Sequence, residues 1–310
     1  MSFAGITFRG ATEADLPETN RLWREAIDGY LAPMHFPPLP TDNPGLRRLH
    51  GHTLATDPER FLVAEREGRV IAFGSAVERE SFWFLSMLFV DPAEQARGLG
   101  RELLIRLLPE QTDGRLLATC TDSAQPISNG LYASFGIVSR MPLYNYIGRP
   151  RPGFEWPGLP DGIRAERVPA TTPAEAAAWR TSDEVAALDR SVLGFTHPED
   201  HRFVQEEPRA CFAYRDADGS LAGYGYAGEV GRVGPIAVAS PELLSPVVGH
   251  LLGAVVPRGA SSIWIPGHAG DAVATAIRAG LRFDGFPILA CWSAPYADFT
   301  RYVPTSPGLI

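Results

Sequence analysis

The alternation of apolar and polar positions lays out the same run of elements twice. A short strand pattern at residues 5–9 gives way to a helical period through Trp23 and Ile27. Thr12 precedes that helix with Asp15 three positions on, the N-cap and N3 arrangement of a capping box. The order recurs at residues 162–164 and from Thr172, where Pro173 takes the first helical position and Trp179 follows. Each half then predicts a hairpin. Residues 61–64 turn at Glu67 and Gly68 and return over 70–77, while residues 212–214 turn at Asp218 and Gly219 and return over 221–227. Gly74 and Gly225 interrupt the returning strands at the same distance from Gly68 and Gly219.

A further strand follows (82–90 and 233–238), then an apolar helix (100–108 and 251–256). Another strand (116–120 and 262–265) and helix (127–135 and 271–279) come next, and each half closes with strand-like residues after Gly136 or Gly280. Strands and helices in this order predict an α/β (α+β) fold of two tandem domains, each a mixed, mostly antiparallel sheet flanked by helices. The alternative is one large α/β domain. Closely spaced prolines and glycines at residues 148–162 cannot sit inside a helix or a central strand, and they fall at the midpoint of the chain. The expected organisation is therefore a domain over 1–147, a linker over 148–161 and a second domain over 162–310.

Composition narrows the function classes. The chain has 310 residues, 45% of them hydrophobic and 21% charged, enough apolar residues for two ordinary cores and too many for a disordered chain. No stretch approaches the ~20 apolar residues of a membrane span, and residues 1–9 lack the basic-then-apolar pattern of a secretory signal. Net charge is -8, and no cluster of cations suits a nucleic-acid backbone, so neither nucleic acid nor membrane is an expected partner. All 28 basic residues are arginine, which reads as a codon bias of a GC-rich genome. Cys120, Cys211 and Cys291 are odd in number and far apart, which fits a reducing, cytoplasmic location and neither a disulfide framework nor a zinc knot.

The informative chemistry lies in the first half. The strand ending Leu88, Phe89 and Val90 runs into Gln95, Ala96, Arg97, Gly98, Leu99, Gly100 and Arg101, after which a helix begins. Glycines there let a ligand approach the backbone, and the first N–H groups of the helix, with its dipole, suit a diphosphate. A turn glycine followed by a helix glycine also occurs with no ligand, so the strand–turn–helix context carries the reading.

At these residues the chain resembles the GNAT superfamily of acyl-CoA-dependent N-acyltransferases, over about residues 5–147. Gln95, Gly98 and Gly100 match the family's diphosphate signature, and Leu88, Phe89 and Val90 match the strand that holds the acyl and pantetheine portion. Leu131, Tyr132, Gly136 and Ile137 resemble its Leu-Tyr-x-x-x-Gly-Phe segment, with Ile137 in place of Phe. Where the family often has Asn seven residues before that Tyr, this chain has Gln125, and Asn129 is the nearby amide. The resemblance implies acetyl-CoA as co-substrate, a primary amine of a small molecule as acceptor, direct attack on the thioester, and Tyr132 as the acid that protonates the leaving thiolate. Backbone N–H groups near Phe89 and Val90 are the expected oxyanion donors. Glu78 and Glu80 are candidate bases, yet they read equally as a solvated strand end, so no base is assigned.

The second half reads as a degenerate copy. The glycine pair is missing at residues 239–249, Pro246 removes an N–H, and aligning Gly280 with Gly136 sets Ala276 against Tyr132. Such a copy shapes a substrate cleft or replaces a dimer partner, giving a monomeric pseudo-dimer. The tandem layout is similar to the mycothiol synthase group with the intact copy at the other end, so that group's substrate is not carried over. The rival function is a non-catalytic acyl-CoA-binding or sensing protein. His50 and His52, and His197 and His201, read as loop histidines without a metal, because no third ligand is apparent and Pro198 interrupts the second pair. The aromatic and proline-rich residues 30–38 lie where the family covers its acceptor.

Overall fold

A computed structural model describes residues 3–112, 114–170 and 172–310; Met1 and Ser2, part of the segment read for a signal sequence, lie outside the described residues. The chain divides into two compact units. The first runs to Thr119 and takes in Ile127–Ile137; the second comprises Cys120–Pro126 and Val138–Ile310.

In the first unit the chain forms β1 (Thr7–Gly10), α1 (Leu16–Leu31), α2 (Pro44–Thr56), β2 (Phe61–Arg66), β3 (Arg69–Arg79), β4 (Phe82–Val90), α3 (Leu99–Leu107), β5 (Leu116–Asp122) and α4 (Pro126–Ala133). The last two are shared at their ends with the second unit. Asp15 closes the capping box: its carboxylate accepts from the Thr12 N–H at 2.8 Å, across a short 3₁₀ turn that leads into α1. Strands β1 to β4 pair antiparallel in order, and β5 joins β4 in parallel. That parallel pairing runs from Phe82 and Leu116 to Leu85 and Thr119. Beside it, β4 carries an extra residue, Ser86, opposite the Ser75–Ala76 step of β3. A bulge at this point bends the strand.

The second unit contains β6 (Val138–Gly148), β7 (Arg164–Arg167), α5 (Pro173–Arg180), α6 (Asp183–Leu193), α7 (Pro198–Gln205), β8 (Arg209–Arg215), β9 (Leu221–Gly228), β10 (Arg232–Val238), α8 (Pro241–Ala254), β11 (Ser261–Pro266), α9 (Gly270–Ala279), β12 (Arg282–Phe283), β13 (Ile288–Trp292) and β14 (Tyr302–Val303). Its sheet runs β13-β6-β11-β10-β9-β8-β7. Thr172 and Glu175 close a capping box at α5 in both directions, at 3.2 and 3.1 Å.

The repeated glycine spacing has one physical cause in both units. A Cβ on Gly74 would come within 2.6 Å of Leu107 Cδ1, and one on Gly225 would run into Leu251 Cδ1. Each glycine makes room for a leucine of the helix packed on its strand. Gly68 and Gly219, at φ +80° and +85°, supply the left-handed turn residues. The bonds after the last helix also match: Tyr132 O accepts from Ile137 N at 3.1 Å, and Ala276 O from Leu281 N at 3.0 Å. The alignment of Tyr132 with Ala276 is thus one of backbone position.

Four features depart from the sequence expectation. β6 lies before the Pro/Gly-rich stretch, yet it pairs with β11 and β13 and belongs to the second unit, so the units do not divide at residue 147. Pro246 sits inside α8, and the proline at the start of that helix is Pro241. His50 and His52 lie on α2, not in a loop. His197 is the N-cap of α7 and Pro198 its first residue, where a missing N–H does no harm, so His197 and His201 stay one turn apart. No helix among the described residues is long and apolar enough to cross a membrane.

Candidate functional site

The end of β4 offers backbone groups on one side. Asp91 N donates to Ile71 O at 2.9 Å, so it points toward β3. Successive N–H groups of a strand alternate sides, which turns Phe89 N–H toward β3 as well and leaves those of Leu88 and Val90 on the opposite edge. Beyond Leu85 that edge has left its parallel register with β5. Of the expected pair, the N–H of Phe89 is therefore turned to β3, and the groups on the open edge are those of Leu88 and Val90. The side chain of Phe89 stacks on Phe73 at 5.6 Å and belongs to the core on the α1 side.

The connection from β4 to α3 is held by its own side chains. Asp91 accepts from Ala93 N at 3.0 Å and from Arg69 at 3.0 Å. Gln95 is extended, and its amide donates to Val90 O at 3.1 Å, tying the loop to the strand end. Ala96 at φ +62° and Gly98 at φ +81° are both left-handed, and Gly98 is the N-cap of α3. Glu102 N makes the first helical bond, to Gly98 O, so the N–H groups of Leu99, Gly100 and Arg101 precede the helical ladder. Leu99 is buried, so its side chain is not offered to a ligand. A Cβ on Gly100 would meet Val90 Cγ2 at 3.5 Å, an ordinary contact.

Arg97 pairs with Glu94 at 3.0 Å and remains exposed. Arg101 donates to Ser134 Oγ at 2.9 Å and lies 4.6 Å over the Phe135 ring, joining the start of α3 to the segment after α4. Tyr132 and Asn129 are on α4, Tyr132 buried and Asn129 half-buried.

Glu78 and Glu80 do not belong to this site. Glu78 pairs with Trp83 at the start of β4, about 20 Å along the strand from Val90. Its carboxylate is occupied by Arg60 at 3.1 Å and Arg115 at 2.6 Å. Glu80 sits in the β3–β4 turn at φ +53°. His50 is a core residue: Nδ1 lies 3.0 Å from Thr19 Oγ1, and the ring meets Phe73 edge-on at 5.2 Å. Burial lowers its pKa to about 4, so it is neutral at pH 7.

The segment between α1 and α2 exposes Met34 and Phe36 around a left-handed His35. Its origin at the end of α1 is close to the site loop, since a Cβ on Gly29 would come 3.8 Å from Pro92.

Residues 23–137 match the acetyltransferase (GNAT) family. The chain is 31% identical over 126 residues to the IAA acetyltransferase of Azospirillum brasilense, an alignment covering 39% of this chain and 78% of that relative. The chain belongs to the GNAT acetyltransferase family, and acyl transfer from acetyl-CoA is the chemistry of that class. At the level of the fold, a putative acetyltransferase from Pyrococcus horikoshii superposes with a TM-score of 0.75 at 16% identity, over 100% of this chain and 97% of that one. A tandem GNAT protein from the clavulanic acid biosynthesis pathway gives 0.52 at 15% identity, over 94% and 99%.

Proposed function

We propose that the first unit is an acetyl-CoA-dependent N-acetyltransferase whose acceptor is the primary amine of a small molecule. The observation that carries this reading is the connection of residues 91–98, where two left-handed residues lead into α3. The residues present fit such a donor. An anionic diphosphate suits the N–H groups of Gly98, Leu99, Gly100 and Arg101 at the positive end of α3, where Gly98 and Gly100 place no side chain in the way. Leu88 and Val90 supply strand N–H groups for the pantetheine arm and for the oxyanion that develops on the thioester carbonyl. Acetyl-CoA supplies an activated acyl group with a thiolate as leaving group.

The chain's part is to orient and to move protons. Tyr132, on α4 just before the segment that Arg101 binds through Ser134, donates its phenolic proton to the departing thiolate. Asn129 lies one turn earlier on that helix and is the amide offered to the pantetheine arm. Met34 and Phe36 form an apolar wall of the kind that selects an acceptor by its non-reacting part.

The second unit is read as a degenerate copy that transfers no acyl group. Only Ala239 and Ser240 connect β10 to α8, Pro241 opens that helix without an N–H, and Ala276 stands at the backbone position of Tyr132. The IAA acetyltransferase relative supports an acetyl donor. The thiols of Cys120, Cys211 and Cys291 suit a cytoplasmic enzyme, and the two copies suit a pseudo-dimer within one chain.

The test is thiol release from acetyl-CoA across a panel of amines. Turnover with at least one amine is expected, and Tyr132→Phe should lower kcat roughly 10- to 100-fold while coenzyme A affinity stays within about twofold. Tight coenzyme A binding with no thiol release from any amine would instead establish the sensing role.

A further inference from the structure

The second unit buries a group of side chains that acyl transfer does not use. Asp189 comes from α6, His197 caps α7 and His201 lies in its first turn, and all three are almost completely buried. One ligand atom from each can be chosen so that all three lie within 4.8 Å of one another. Asp189 Oδ2 stands 3.3 Å from His201 Nε2 and 3.6 Å from His197 Nε2. Tetrahedral ligands at ~2.0–2.1 Å from zinc stand about 3.4 Å apart, so these two edges already have the length of a zinc polyhedron.

The surrounding residues aim the three atoms inward. Tyr224 donates to Asp189 Oδ1 at 2.7 Å, which leaves Oδ2 toward the histidines. His201 Nδ1 is 3.0 Å from Tyr226 Oη, which also accepts from Trp179 Nε1 at 3.1 Å. Nε2 is hydrogen-bonded to Asp189 Oδ2 at 3.3 Å; with the proton moved to Nδ1 and donated to Tyr226, the Nε2 lone pair would be free for an ion in place of that bond. Asp200 Oδ2 lies 3.7 Å from His197 Nδ1, the position of a carboxylate that orients a ligating imidazole. Neither nitrogen of His197 has a hydrogen-bond partner, although the ring is fully buried. The nearest carboxylate oxygens, of Asp189 and Asp200, stand at 3.6 and 3.7 Å, too far for a normal hydrogen bond, so the buried ring lacks a bond of ordinary length. A small cavity with room for about one water touches His197 and Asp200 but not Asp189 or His201.

We infer that Asp189, His197 and His201 form a binding site for a divalent first-row metal ion of the zinc class, which clamps α6 to the start of α7 in the second unit. Two imidazoles and one carboxylate, with a small fourth ligand, are the donor set such an ion takes. This departs from the expectation that these histidines serve no metal. Two reasons for that expectation fall away. The third ligand comes from a separate helix, and Pro198 starts α7 without breaking it.

The experiment uses the full chain, untagged and purified without chelator. Elemental analysis should find one zinc-class ion per chain. Stripping with dipicolinate should lower Tm by about 5 °C or more, reversibly on adding Zn²⁺. Reloading with Co²⁺ should give the intense visible absorption of a four-coordinate site. Asp189→Asn and His201→Gln should each lose the ion; if His201→Gln does not fold, the stripped wild type and Asp189→Asn carry the test. The inference is overturned if the purified chain holds only trace metal and neither stripping nor added Zn²⁺ moves Tm. Retention of the metal by Asp189→Asn and His201→Gln would overturn it equally. In the metal-free case His197 is held between Asp189 and Asp200 as a buried ion pair.

Discussion

Single residues of the site differ in what they tolerate, and the backbone says why. Gly98 sits at φ +81° as the N-cap of α3, so any side chain there costs roughly 1–2 kcal/mol at the residue that precedes the first N–H groups of the helix. Gly100 faces Val90 at an ordinary contact distance and is not left-handed. Gly98→Val should therefore weaken coenzyme A binding at least about tenfold, and Gly100→Ala much less, as titration calorimetry would report. Asp122, at the end of β5, tests the electrostatics of a half-buried carboxylate. Burial raises its pKa to about 6, above the ~3.9 of an unfolded chain. The folded state thus holds the proton more tightly, so this group favours folding below about pH 4. That contribution is lost as pH rises to 6, and the ionised carboxylate is a burden above it. Asp122→Asn should raise stability by about 1–3 kcal/mol at pH 8 and leave it nearly unchanged at pH 4. Denaturant melts at the two pH values would show an equal effect if the carboxylate were unperturbed.

At the scale of elements, the paired glycines are the clearest case of sequence recording packing. Gly74 and Gly225 were legible as a repeat because a leucine from the helix above occupies the space of their Cβ atoms, and that constraint writes itself at a fixed distance from the turn. Gly74→Ala should cost about 1–3 kcal/mol by overpacking against Leu107. In Leu107→Ala the same change should cost clearly less, and strictly additive melts would refute the explanation. The loop at Gln95, Gly98 and Gly100 was legible for a similar reason, since left-handed backbone and a helix start both demand particular residues. Side-chain chemistry brought together from distant segments was not. The pairing of Glu78 with Arg60 and Arg115, and of His201 with Asp189, leaves no local period. The direction of the N–H groups at Leu88, Phe89 and Val90 depends on which neighbour Asp91 bonds, and that too is invisible in the residues themselves.

At the scale of the molecule, strand pairing overrides the apparent boundary. β6 precedes the Pro/Gly-rich stretch, but its residues from Val138 to Gly148 supply partners for β11, β12 and β13. A fragment of residues 149–310 would lack the strand between β11 and β13 and expose their unpaired edges. It should aggregate or melt without cooperativity, whereas a fragment of residues 138–310 should be the better folded of the two. Circular dichroism melts of both fragments would settle the boundary.

The proposed donor site predicts that the two units differ in how many coenzyme molecules one chain can hold. Both carry the hairpin, the strand-interior glycine and the closing helix, so a count by architecture alone would be two. The phosphate-facing part is what separates them. In the first unit residues 91–98 turn through two left-handed positions and deliver free N–H groups at the start of α3. In the second, Ala239 and Ser240 leave no such turn, and Pro241 removes a donor where α8 begins. A diphosphate needs several donors converging at once, and a missing loop forfeits them together. We therefore expect calorimetric titration to give one coenzyme A per chain, lost in Gly98→Val and unaffected by Pro241→Ala. A stoichiometry of two, or binding that survives Gly98→Val intact, would move the acyl-donor site away from α3.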